Sequence, residues 1–115
     1  MKKANLLISA GFLALAFQAP AQAADEEAAK ALLQSNNCTQ CHGIKKDKDG
    51  PSFLKTAEKF QGKATAVDDI VKHLTSGKKV KLADGTSEEH KIAKTIPPND
   101  TAQLKNLAQW ILSVK

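Results

Sequence analysis

Five consecutive residues supply the chemistry most readily read from this chain. Cys38, Thr39, Gln40, Cys41 and His42 form C-x-x-C-H, the spacing in which two thiols take up the vinyl groups of a haem and the adjacent imidazole ligates its iron. Two intervening residues let a turn of helix set both sulfurs along one edge of the macrocycle, and the next residue then points its ring at the metal. Other uses of paired cysteines fit less well. A dithiol enzyme places the motif between a strand and a helix in an α/β pattern, which this chain lacks. A zinc site needs a second pair of ligands, and only His73 and His90 remain to supply them. A structural disulfide would make the neighbouring His a coincidence.

The N-terminal residues point to export. Lys2 and Lys3 precede an apolar run from Leu6 to Phe17, and Ala21-Gln22-Ala23 follows as a small-x-small cleavage site. An uninterrupted run of this length falls short of the roughly 20 residues a spanning helix needs. Residues 1–23 therefore read as a secretory signal peptide removed after Ala23. What remains is a single exported, soluble, periplasmic domain over residues 24–115 with no membrane anchor, 92 of the 115 residues. A domain this small has a limited core, and the faces of a covalently held haem would supply much of the apolar contact it needs.

The formal net charge of +5 falls to +3 once Lys2 and Lys3 are removed, leaving 15 Lys against 12 acids. Two ionised haem propionates would bring it to about +1. The chain has no Arg, so it lacks the bidentate fork suited to phosphates and bases, and nucleic-acid binding loses its electrostatic argument. Two local lysine clusters remain: Lys45, Lys46 and Lys48 after the haem motif, and Lys78, Lys79 and Lys81 further on. Each reads either as a solvated loop surface or as a patch that steers an acidic redox partner.

Helices must position the motif. Asp25, Glu26 and Glu27 favour a helix start and Ala28 to Leu33 has high helix propensity, so a first helix should lead directly into residues 38–42. A polar loop follows from Gly43 to Pro51. Phe53, Leu54, Ala57 and Phe60 recur at helical spacing, and Val67, Ile70, Val71 and Leu74 form a second apolar stripe that Gly77 ends. Between Lys78 and Ile96 the pattern weakens: Val80 and Leu82 before Asp84-Gly85 suggest a minor hairpin, while Ser87-Glu88-Glu89 suggests the start of a short helix. Pro97 and Pro98 stop any upstream helix, and Asn99 or Asp100 can cap the next. Leu104, Leu107, Ala108 and Ile111 mark a clear amphipathic face with Trp110 on its flank. Four helical segments without a convincing sheet define an all-α domain.

The chain resembles the small bacterial class I c-type cytochromes over almost all of residues 24–115. The likeness rests on residues 38–42, on Gly50-Pro51, and on Ile96-Pro97-Pro98-Asn99 before the last helix. The resemblance implies a small cytochrome c fold, about four helices wrapped around one haem c attached through Cys38 and Cys41. It also implies that His42 is the proximal ligand, that the Pro51 carbonyl accepts a hydrogen bond from its imidazole, and that the first and last helices cross. Such a bond fixes the ring and raises its donor strength. The implied role is electron transfer to or from a larger oxidoreductase, without enzymatic chemistry of the protein's own.

The sequence departs from that family at one position. Relatives usually read Met-Pro-Pro-Asn, with the Met sulfur as sixth iron ligand, whereas this chain has Ile96 there and its only Met is Met1. His90, six residues before the vacated position, is the first candidate for the sixth ligand. His73, beside the stripe of the third helix, is the second, though a contact with a haem propionate suits it better. Lys94 would first have to lose a proton from a group of reference pKa about 10.4. A vacant or water-filled site, with Ile96 packing on the haem ring, is the remaining option. Ligation by two imidazoles predicts a low reduction potential, because a thioether stabilises ferrous iron and an imidazole does so less. A vacant or displaceable sixth position predicts instead a ligand-binding or sensing haem protein.

Overall fold

A computed structural model describes Gly11 and residues 23–115, so the expected signal peptide lies outside the described residues except for Gly11 and Ala23. Helix α1 covers Glu26–Ser35 and is capped by Asp25, whose side chain accepts from the Ala28 N–H at 3.0 Å. Two acids in its first turn complement the helix dipole. A short 3-10 turn over Cys38–Gln40 follows directly. Helix α2, Phe53–Lys59, is capped by Ser52, which accepts from Lys55 N–H at 3.1 Å. Helix α3, Ala66–Ser76, ends at Gly77 in the left-handed conformation (φ 63°), where a side chain would be strained. Helix α4, Thr101–Leu112, starts from Asp100, not Asn99, with the Gln103 N–H donating to its carboxylate at 3.2 Å.

The segment between α3 and α4 holds a two-stranded antiparallel hairpin, β1 over Lys79–Lys81 and β2 over Ser87–Glu89. The turn at Asp84-Gly85 is as the sequence suggests; the short helix expected to start at Ser87 is not formed. Two interactions favour the strand. The Thr86 N–H and hydroxyl both donate to Asp84 Oδ1, at 2.9 and 2.6 Å, which folds the chain back on itself. In the resulting register Lys79 faces Glu89 and Val80 faces Glu88, and the opposite charges of the first pair favour that alignment.

Helix α4 packs against each of the other three helices and contributes Leu104, Leu107, Ala108, Trp110 and Ile111 to the core. Leu107 and Ala108 are almost wholly inaccessible, and Ala29 of α1 joins the same cluster. Small residues on both helices permit a close approach. Their ends are also tied, because the Asp25 N–H donates to Asn106 Oδ1 at 2.8 Å and Asn106 Nδ2 returns a bond to Asp25 O at 2.9 Å. The core thus fixes where α1 ends, and with it where the C-x-x-C-H segment begins.

Candidate functional site

Beyond α1, Asn37 adopts a left-handed conformation (φ 53°) that redirects the chain into the 3-10 turn. The N–H groups of Cys41 and His42 both donate to the Cys38 carbonyl, at 3.2 and 3.0 Å. Cys38, Cys41 and His42 thereby share the wall of one cavity of about 440 Å³, whose apolar lining includes Leu33, Ile70, Leu74, Leu107 and Ile111. Both cysteines are unpaired. Burial pushes the Cys38 thiol pKa up, partly offset by a backbone hydrogen bond and by Lys91.

The polar loop at 43–51 is tied both to the C-x-x-C-H turn and to the start of α2. Gly50 N–H donates to Cys41 O at 2.9 Å and Phe53 N–H to Gly43 O at 2.9 Å. Ser52 N–H reaches Asp47 Oδ1 at 2.8 Å, and Lys48 Nζ reaches Thr39 O at 2.7 Å. The loop so folded sets the Pro51 carbonyl 2.6 Å from His42 Nδ1. A carbonyl oxygen only accepts, so Nδ1 carries the proton and the Nε2 lone pair is left for a metal. On the core side the Phe53 ring stacks on His42, centroids 5.4 Å apart at 22°, and Trp110 meets Phe53 edge-on at 5.8 Å. An aromatic series therefore runs from α4 to the imidazole. Gly50 presses against the ring: a Cβ there would lie 2.7 Å from His42 Cε1.

His90 lines the same cavity, with its ring centre 6.0 Å from that of His42 and the rings inclined by 50°. Its Nδ1 lies 2.8 Å from the Lys91 carbonyl, which by the same argument places the proton on Nδ1 and frees Nε2. Two imidazoles bound to one metal at about 2 Å each hold their ring centres roughly 6 Å apart. His73 of α3 is adjacent, its ring centre 4.5 Å from that of His90. Burial holds the pKa of both His73 and His90 below the usual imidazole value, helped for His73 by the neighbouring His90 and His42 and opposed for His90 by the Lys91 carbonyl. Both rings are therefore neutral at pH 7, the form a metal requires.

The structure thus brings Cys38, Cys41, His42, Pro51 and His90 together around one cavity. Ile96 is not among them, which corrects the expectation that it packs on the haem. Its side chain is 92% exposed and lies at a separate depression between α1 and the start of α4. The reason is local bonding. Thr95 is buried, its hydroxyl donates to Pro97 O at 2.7 Å and accepts from Asp100 N–H at 2.8 Å, and Gln103 Nε2 donates to Ile96 O at 2.9 Å. With Thr95 turned inward and the Ile96 carbonyl held by α4, the Ile96 side chain faces solvent.

Several contributors escaped sequence reasoning. Phe53 read as ordinary core, although it also stacks on His42; Asp47 read as loop, although it ties that loop to α2. Of the lysines singled out, only Lys81 lines the cavity, joined there by Lys55, Lys59 and Lys91. Periodicity marks Phe53 as core but not its contact with His42, and it marks none of the others.

The residues fit a haem. Two cysteines lie beside a histidine with a free Nε2, a second such histidine lies at suitable separation, and apolar side chains form the walls. Among the described residues no group of three or more His, Cys, Asp and Glu side chains is arranged to hold an ion unaided, whereas a haem iron asks the protein only for axial ligands.

Such a site on a four-helix scaffold defines a haem-attaching helical electron carrier. The cytochrome c family model matches residues 26–115, and the chain belongs to that family: it is an electron-transfer c-type cytochrome with one covalently attached haem c, acting with redox partner proteins. It is 34% identical to cytochrome c-552 of Hydrogenobacter thermophilus over the whole of both chains. It is 29% identical to cytochrome c-551 of Azotobacter vinelandii over 77% of this chain and all of that one. Among solved structures, the class 1 cytochrome MtoD from Sideroxydans lithotrophicus ES-1 superposes with a TM-score of 0.74 at 49% identity, over 80% of this chain and 98% of that one. The fold is shared as well with cytochrome c552 of Nitrosomonas europaea, at a TM-score of 0.58 and 24% identity, over 75% of this chain and 99% of that one. No helix among the described residues is long and apolar enough to cross a membrane.

Proposed function

We propose that this protein is an exported, periplasmic, low-potential electron carrier whose haem is attached through Cys38 and Cys41 and held axially by His42 and His90. The observation that carries this reading is the pair of imidazoles on one cavity with ring centres 6.0 Å apart, each with Nδ1 held by a backbone carbonyl. Bound there, the haem supplies a one-electron couple. The protein's part is to fix both rings, keep them neutral and exclude water with the apolar wall. An imidazole in place of a thioether withdraws the ligand that raises potential in relatives. Export rests on residues 1–23 as a signal peptide cleaved after Ala23. The exposed lysines around the cavity, Lys81 foremost, steer an acidic partner.

The test is the ferric and ferrous spectrum of the holoprotein, with electron paramagnetic resonance and potentiometry, for wild type and His90→Ala. The wild type is expected to be low-spin in both states, to carry the resonance signature of two imidazoles and to resist carbon monoxide at neutral pH. In the variant both that signature and the potential shift. Identical g values and potential in His90→Ala would remove His90 from the iron. Rapid carbon monoxide binding by the wild type would establish a displaceable sixth position and a ligand-binding role in place of the carrier.

A further inference from the structure

The cavity contains one imidazole more than a two-ligand site uses. His73 has no hydrogen bond to its ring among the described residues; burial first, and then the neighbouring His90, His42, Lys78 and Lys59, lower its pKa. His42 and His90, by contrast, each have Nδ1 on a carbonyl. His73 shares the cavity with both and lies 4.5 Å, ring centre to ring centre, from His90. The two neighbours are mounted differently. His73 stands on α3, whose Ile70 and Leu74 are buried in the core. His90 follows a hairpin of two three-residue strands that are almost entirely exposed. That hairpin is fastened to the loop at 43–51 by one backbone bond, Ala83 N–H to Asp49 O at 3.2 Å. The chain after His90 is tied back to α3 by Ala93 N–H to Leu74 O at 2.8 Å, but a two-stranded hairpin contributes little stability of its own, so His90 has the weaker of the two mountings.

We propose that His73 is a reserve distal ligand, placed to take the sixth position on the haem iron when His90 leaves it. The exchange breaks one iron–nitrogen bond and forms another, with no change in oxidation state and no proton to place. The inference rests on His90 being the ligand at rest. Its consequence is that opening of the hairpin does not open the iron: the site stays six-coordinate and closed to small ligands while the hairpin rearranges, as it would on contact with a partner.

The test uses the holoprotein with His73→Ala, His90→Ala and the double variant, read by visible spectrum, electron paramagnetic resonance and carbon monoxide binding at neutral pH. His90→Ala alone is expected to remain low-spin, with altered g values and no rapid carbon monoxide binding. The double variant is expected to turn high-spin and bind carbon monoxide, and added imidazole should restore its low-spin spectrum, which shows that the cavity has survived both substitutions. A high-spin, carbon monoxide-binding His90→Ala overturns the reserve role of His73 while leaving His90 as the resting ligand. A low-spin double variant overturns it too, because a third group then binds. If His73→Ala alone becomes high-spin and His90→Ala is unchanged, both the reserve role and the His90 assignment fail. Should the double variant not accumulate, the spin state of His90→Ala decides alone.

Discussion

Gly50 illustrates how little space the site leaves at its most constrained point. Its Cα lies against the His42 ring, and any side chain would place Cβ 2.7 Å from Cε1, closer than nonbonded carbons tolerate. The ring cannot retreat far, because Phe53 stacks near it and Pro51 O holds Nδ1. Gly50→Ala is therefore expected to rotate the imidazole, weaken its bond to Pro51 and destabilise the holoprotein by about 1–3 kcal/mol, the usual cost of overpacking. Chemical denaturation gives the stability and ferric electron paramagnetic resonance gives the ring orientation. Unchanged g values would show that the loop, not the ring, yields.

At the scale of elements, the helices are set by caps whose charge matters. The Gln103 N–H and Nε2 both donate to the Asp100 carboxylate at the start of α4, and these bonds hold its pKa below the usual aspartate value. Asp47, tying the loop at 43–51 to α2, is lowered likewise by Ser52 and Lys55. For such groups the folded pKa lies under the unfolded one of about 3.9. The stabilisation is therefore complete above that value and is lost as pH falls through the folded pKa. Asp100→Asn isolates the charge, since Asn is also a good cap. The variant is expected to be less stable than wild type at pH 7, with the gap in denaturant midpoint closing as pH drops from about 5 to 3. A gap constant with pH would mean that the charge plays no part.

For the molecule as a whole, electron transfer is a question of approach. With residues 1–23 removed, as proposed above, and two propionates added, the formal charge is near +1 and no large net field draws a partner. The proposed steering therefore depends on where the lysines stand. Of the four lysines that line the cavity, Lys55 is paired with Asp47, so Lys59, Lys81 and Lys91 form the positive charge nearest its mouth. Electron exchange with a small anionic iron complex is expected to slow by about tenfold as salt rises from millimolar to molar, while exchange with a cationic complex speeds up. Lys81→Glu should reduce the first dependence. Equal salt responses for the two complexes would leave these lysines as ordinary surface.

The sequence alone determined haem attachment, the helical class and the ends of most helices, because each depends on residues within a few positions of one another. Cys38, Cys41 and His42 carry their meaning in their spacing, Leu104 to Ile111 in their period, and Gly77 in its place after an apolar stripe. It also puts Ile96 where relatives carry Met and leaves Met1 as the one Met of the chain. Tertiary structure decided which histidines share the cavity with His42. His73 and His90 are 17 positions apart in the chain, and only the packing of α3 and the register of the hairpin bring their rings to 4.5 Å and turn both toward the cavity of His42. Ile96 went the other way for a comparable reason: its neighbours Thr95 and Gln103 bond across the start of α4 and leave its side chain in water. The strand at Ser87–Glu89 belongs with these, because three residues have no preference strong enough to outweigh a partner strand. Local pattern fixes what is bonded along the chain; which distant side chains meet is set by the core that holds them.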